Sequence, residues 1–170
     1  MRKRRKAREL ALQRLYAHEV SNNPLGRVLD ELAESYQGDP DVEVFAKTLL
    51  RRAIENKAEL DQDIGAMLQN WDFTRIALVD RLILRLAACE LIYFGEIPPK
   101  VTINEAIELA KLYSTAKSGR FVNGILDSLY KKLKAENRIT KTGRGLMDTT
   151  PLPEDEELPE PAGADEEDNW

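Results

Sequence analysis

Two clusters of residues in this chain could do chemistry, and both would bind anions. The first is the N-terminal run Arg2, Lys3, Arg4, Arg5, Lys6 and Arg8, six cations within eight residues and no acid. On a helix, Arg4, Arg5 and Arg8 project to one side, because neighbours three and four apart share a face. Guanidinium groups pair phosphates in a planar fork and stack on bases, so single-stranded RNA fits this arm. The plainer alternative is a basic terminus that only aids solubility. The second cluster is Lys117-Ser118-Gly119-Arg120 followed by Phe121. It lies at a helix start, where free backbone N–H groups favour phosphate. Gly119 would let a backbone approach closely, and Phe121 could stack on an unpaired base. The alternative is a structural turn between helices, with Phe121 in the core.

Catalytic chemistry is poorly provided for. The chain has one histidine, His18, and one cysteine, Cys89. His18 reads as a surface or packing residue late in the first helix, and Cys89 as a small inert core residue. With these two alone no Cys/His metal centre can form. The phosphate-cradling loops G-x-x-x-x-G-K-[ST] and G-x-G-x-x-G are absent, as is the nucleophile elbow G-x-S-x-G. Glu105 and Glu108 stand three apart, but a cap and a solvated position explain them better than an acid/base pair. The sequence describes a binder without cofactor or metal, not an enzyme, and a hydrolase would lack a nucleophile.

Charge is segregated along the chain. The formal net charge of −5 becomes +4 once the nine acids of residues 154–170 are set aside. A basic body with an acidic tail suggests a polyanionic partner. One cysteine excludes an intrachain disulfide, which suits a reducing cytoplasm. No apolar run approaches the roughly 20 residues that span a bilayer.

The elements that position these clusters read as helices throughout. The first runs from about Arg4 to Val20, with Ala7, Ala11, Leu12, Leu15 and Tyr16 on one face. Asn23-Pro24 signals a second start, Asn as N-cap and Pro at the first helical position. Asp39-Pro40 repeats the signal. The face Phe45, Leu49, Ala53, Asn56, Leu60, Ile64 and Met67 then continues as one long helix, or as two meeting near Asn56-Lys57. Residues 78–94 are apolar nearly all round, which places that helix centrally. Thr102 and Glu105 have the spacing of a capping box. Ser118 then opens a last helix with the stripe Val122, Ile125, Leu126, Leu129 and Leu133. Residues 139–170, with their prolines and acids, read as a disordered tail. The expectation is an all-α fold of about seven helices over residues 1–138. Whether its apolar faces leave a patch for homodimerisation stays open.

Four segments together resemble the NusB family of bacterial transcription antitermination factors. They are R-R-K-A-R-E-L-A-L-Q-R-L-Y from Arg4, V-D-R-L-I-L-R-L-A-A-C-E-L from Val79, I-N-E-A-I-E-L-A-K from Ile103 and R-F-V-N-G-I-L-D from Arg120. The resemblance implies two small packed helical bundles. It implies binding to boxA-type RNA of ribosomal-RNA transcripts together with the ribosomal protein NusE, in an antitermination complex on RNA polymerase. By position it assigns RNA contacts to Arg4, Arg5, Lys6, Arg8, Lys117, Ser118, Arg120 and Phe121. It places Tyr16 and Asp80 against NusE. Lys117 is basic where relatives can carry an acid. The acidic tail exceeds the usual family length. A different class of function, a helical scaffold that binds only proteins, would leave the arm dispensable.

Overall fold

The computed structural model describes residues 2–68 and 72–146. The described residues form seven α-helices and two short 3₁₀ turns, without strands. The helices are α1 (Arg2–Ser21), α2 (Leu25–Ser35), α3 (Pro40–Glu55), α4 (Lys57–Gly65), α5 (Leu78–Tyr93), α6 (Pro99–Tyr113) and α7 (Ala116–Ala135). They fall into two compact units, one ending at Lys57 and one starting at Ala58. The all-helical architecture in two small bundles is the one the sequence implied.

In the first unit α1, α2 and α3 pack on one another. Ala7, Ala11 and Leu15 of α1 are buried, as are Val28 and Leu32 of α2 and Ala46, Leu49, Leu50 and Ala53 of α3. Asp39 caps α3 as expected: its carboxylate accepts the Asp41 N–H at 2.9 Å, and Pro40 occupies the first turn. The long stripe resolves into two helices. Asn56 ends α3, with both its backbone N–H and its Nδ2 bonded to the Arg52 carbonyl. A side chain that competes for backbone acceptors in this way favours a helix end. The start of α2 differs from expectation. Pro24 precedes the helix and no side chain caps it. Asn22 and Asn23 serve the end of α1 instead: Asn22 takes a left-handed φ of 56°, and the Asn23 carbonyl accepts from His18 Nδ1 at 2.8 Å. That gives His18 a structural role.

In the second unit α5 is the centre, packed against both α6 and α7. Every residue from Leu82 to Leu91 is buried, so burial is not confined to one stripe. Two of these residues carry charge. Arg85 forms a two-point pair with Asp61, Nε to Oδ1 at 2.8 Å and Nη2 to Oδ2 at 3.0 Å. Glu90 lies near the Thr102 hydroxyl, which donates to it at 3.5 Å. The capping box is therefore not formed. α6 starts four residues earlier, with Pro98 at the N-cap position and Pro99 in its first turn, so Thr102 and Glu105 are inside the helix and buried. In α7 the stripe Val122, Ile125, Leu126, Leu129 and Leu133 is buried throughout.

The chain stays docked past residue 138, as far as Gly145. Arg138 makes a two-point pair with Asp63 at 2.8 and 2.7 Å and reaches Glu59 at 3.2 Å. Lys141 Nζ donates to the Phe94 carbonyl at 2.8 Å and the Glu90 carbonyl at 3.3 Å, a second donor for two carbonyls at the end of α5 that already accept backbone N–H groups. The Thr142 N–H donates to Gly95 O at 3.0 Å. Gly145 packs so closely on the Gly95 carbonyl that no Cβ would fit there. Composition hid this strap because its anchors are polar. The acidic run expected to be disordered lies outside the described residues.

Candidate nucleic-acid interface

The arm is the first turn and a half of α1. Arg2, Lys3, Arg4, Arg5 and Lys6 are exposed, and the first turn contains no acid. A helix start carries about half a positive charge and favours anions by roughly 0.3–1 kcal/mol each. Cations gathered there oppose that preference. A polyanion would relieve both the dipole and the mutual repulsion.

Packing gives the arm an order. The Arg4 guanidinium lies 4.7 Å from the centroid of the Phe45 ring, and that of Arg8 lies 5.6 Å from the same ring. Residues four apart on α1 thus share one aromatic platform on α3, each contact being worth about 0.5–1 kcal/mol. The two arginines differ in exposure. Arg8 is 2% exposed. Its assignment as an RNA contact is corrected: it joins α1 to α3 through Phe45 and offers little surface to a ligand. Lys3 is paired with Asp39 at 2.7 Å. That hydrogen bond raises the Lys3 ammonium above its ordinary range and holds the Asp39 carboxyl below its own.

The second cluster sits where α6 hands over to α7. Thr115 is the N-cap, accepting the Ser118 N–H at 3.1 Å. α7 therefore opens three residues before the expected Ser118. Lys117 and Arg120, three apart, are exposed. Like α1, α7 has no acid in its first turn. Gly119 is buried against α6, where an added Cβ would stand 3.4 Å from Lys111 Cγ and 3.6 Å from Ile107 Cγ2. The close approach that glycine permits here is by α6, not by a ligand backbone. It brings the stem of Lys111, another exposed cation, against the start of α7. Sequence reasoning missed Lys111, although its place in the last turn of α6 was readable.

Three expected contact residues are inside the fold. Phe121 is 1% exposed; its ring belongs to the core face of α7 one residue before Val122, so base stacking is withdrawn. Ser118 is fully buried, and its hydroxyl donates to Asp80 Oδ2 at 2.9 Å. Asp80 is likewise fully buried. It does not offer a partner-facing carboxylate, and its assignment to a protein interface is also corrected. Tyr16 by contrast is 42% exposed. Val20, one turn further along α1, is exposed as well, so the two continue one apolar strip.

Among the described residues no three His, Cys, Asp or Glu side chains converge to hold a metal, and no helix is long and apolar enough to cross a membrane.

Comparison with known proteins gives these features a family. A model described as the NusB family matches residues 5–131. The transcription antitermination protein NusB of Salinibacter ruber is 43% identical over 88% of this chain and 95% of its own length. That of Chloroherpeton thalassium is 42% identical over 85% of this chain and 69% of its own. Among solved structures, Thermotoga maritima NusB aligns with a TM-score of 0.69 at 40% identity, covering 78% of this chain and 96% of that one. A chain from a crystal structure of NusB and NusE in complex with double-stranded RNA aligns with a TM-score of 0.71 at 32% identity, covering 78% and 98%.

Proposed function

Since this chain belongs to the NusB family, we propose that it is a transcription antitermination factor. It binds boxA-type RNA of ribosomal-RNA transcripts together with the ribosomal protein NusE, within an antitermination complex on RNA polymerase. Its work is recognition in the cytoplasm, with no covalent step and no cofactor.

One observation carries this reading: α1 begins with exposed Arg4, Arg5 and Lys6 and no acid. Exposed cations at a helix start, whose own end is positive, favour phosphate. Lys117 and Arg120 add a second cationic surface of the same kind, joined by Lys111. Tyr16 and Val20 supply the face for NusE, an amphipathic ring beside an exposed aliphatic side chain. The solved relative that contains NusB, NusE and RNA supports the pairing of partners.

Five exposed contacts, from Arg4, Arg5, Lys6, Lys117 and Arg120, predict a log–log salt slope for single-stranded RNA of about −3 to −4. The test is a titration of boxA-like and scrambled RNA with and without NusE. Tighter binding of the boxA-like strand when NusE is present is the expected result. Equal binding of both strands would contradict it. A scaffold that binds proteins alone would show no RNA binding for arm substitutions to remove.

A further inference from the structure

Beneath the basic corner lies a buried polar network that the RNA reading does not use. The Ser118 hydroxyl donates to Asp80 Oδ2 at 2.9 Å, and it lies 2.9 Å from Ser114 Oγ and 3.1 Å from Thr115 Oγ1. A serine oxygen has one proton to give and two lone pairs to fill. With its proton on Asp80, the hydroxyls of Ser114 and Thr115 can donate to it, and its capacity is full. Thr115 in turn accepts the Ser118 backbone N–H. The network thus joins the first turn of α5, which holds Asp80, to the turn between α6 and α7.

The carboxylate is held at a cost. Asp80 Oδ1 is buried without a hydrogen-bond partner. Burial pushes the Asp80 carboxyl up, and the hydrogen bond from Ser118 pulls it back only in part. An unsatisfied buried oxygen costs about 1–3 kcal/mol, and an apolar residue of similar volume would avoid that cost. The positive start of α5 offsets part of that cost, and the one oxygen that is satisfied is bonded to another helix.

The place of Asp80 defines its role. First turns of helices are weakly held, since their N–H groups lack intrahelical partners. Lys117 lies in that turn and Arg120 begins the next, and they share a face only while both are helical. We infer that Asp80 and Ser118 are a positioning pair: they pin the first turn of α7 so that Lys117 and Arg120 present together to consecutive phosphates. The inference rests on the proposed RNA binding at this corner. It makes Asp80 an internal strut of the ligand surface.

The test uses the full chain and boxA-like single-stranded RNA, with far-UV circular dichroism to establish that each variant is folded. Ser118→Ala should weaken binding about five- to tenfold, the equivalent of one hydrogen bond. In the background Lys117→Ala/Arg120→Ala it should cause no further loss, because the strut acts only through those cations. Asp80→Asn keeps an acceptor facing Ser118 and should retain most of the affinity, whereas Asp80→Leu should match Ser118→Ala. Amide exchange at Gly119, whose N–H bonds to the Thr115 carbonyl at 3.2 Å, should quicken in Ser118→Ala more than exchange in the rest of α7. The inference is overturned if Ser118→Ala leaves affinity unchanged while Lys117→Ala/Arg120→Ala lowers it, or if the loss is equal in both backgrounds. If the double variant itself binds RNA normally, the corner's role in RNA binding is what fails. Exchange at Gly119 then decides the strut: quickened exchange upholds the pinning, and unchanged exchange ends it.

Discussion

The arm of α1 and the corner between α6 and α7 carry the same sign of charge but are built on opposite principles. In the arm the fixtures belong to α3 and its cap. Arg4 rests on the face of Phe45 and Lys3 is tied to Asp39, while Arg2 to Lys6 stay exposed on a helix whose own first turn has no acid. In the corner two exposed cations ride on a turn secured from below by Thr115, Ser118 and Asp80. An arm of that kind contributes chiefly long-range attraction, graded by charge and weakened by salt. The corner contributes geometry, which is lost as a unit when its fixture is removed.

The largest expected effect concerns the residue whose role changed most between sequence and structure. Phe121→Ala should destabilise the fold by about 3–5 kcal/mol, the range for a buried phenylalanine, as read by urea unfolding. A ring that served as a stacking platform would instead leave stability intact and lose RNA affinity, and that result would restore the corner's aromatic contact.

The arm ranks next. Arg4→Ala/Arg5→Ala/Lys6→Ala should lower RNA affinity on the order of 100-fold at low salt, taking about 1 kcal/mol for each phosphate contact. The loss should shrink as salt rises. A salt-independent loss would mean that the arm, too, acts by geometry.

Phe45→Ala sharpens the contrast within the arm. It removes the platform under Arg4 and Arg8 and should cost about 1–3 kcal/mol of stability, the half-buried ring being worth less than a core one. RNA binding should weaken only severalfold, since the charges remain. A loss as large as that of the triple variant would show that Arg4 is positioned as strictly as the corner.

The smallest effect lies away from both surfaces. Burial brings the Lys141 ammonium down to about 8 from an ordinary 10.5. Between those values the unfolded chain binds more protons than the folded one, so this group makes stability rise with pH from about 8 to 10.5. Thermal melts across that window should show the rise, and Lys141→Met should lack it. A Lys141→Met profile parallel to that of the unsubstituted chain would contradict the burial of the charge.

What was legible in the sequence follows from range. The central helix α5 and the stripe of α7 were readable because apolar residues at helical spacing are buried whatever packs on them. The Asp39-Pro40 start was readable because a cap is local. Asn23-Pro24 carried the same signal, but the chain spent its asparagines on ending α1 and on the His18 ring. Thr102 and Glu105 misled because the box assumes a helix start, while Pro99 had already begun α6. The burial of Asp80 and Ser118 was out of reach. Nothing around either residue announces a partner 38 positions away. The arm's charges were plain, whereas the division of labour between Arg4 and Arg8 depended on Phe45 of another helix.

The most direct test of the central claim is the salt dependence of boxA-like RNA binding in three proteins: the unsubstituted chain, the arm triple variant and Lys117→Ala/Arg120→Ala. At about 0.7 per phosphate contact on single strands, the slope should fall in magnitude by about 2 in the arm variant and by about 1.4 in the corner variant. Slopes that stay equal across all three would contradict the claim that these two cationic surfaces hold the RNA.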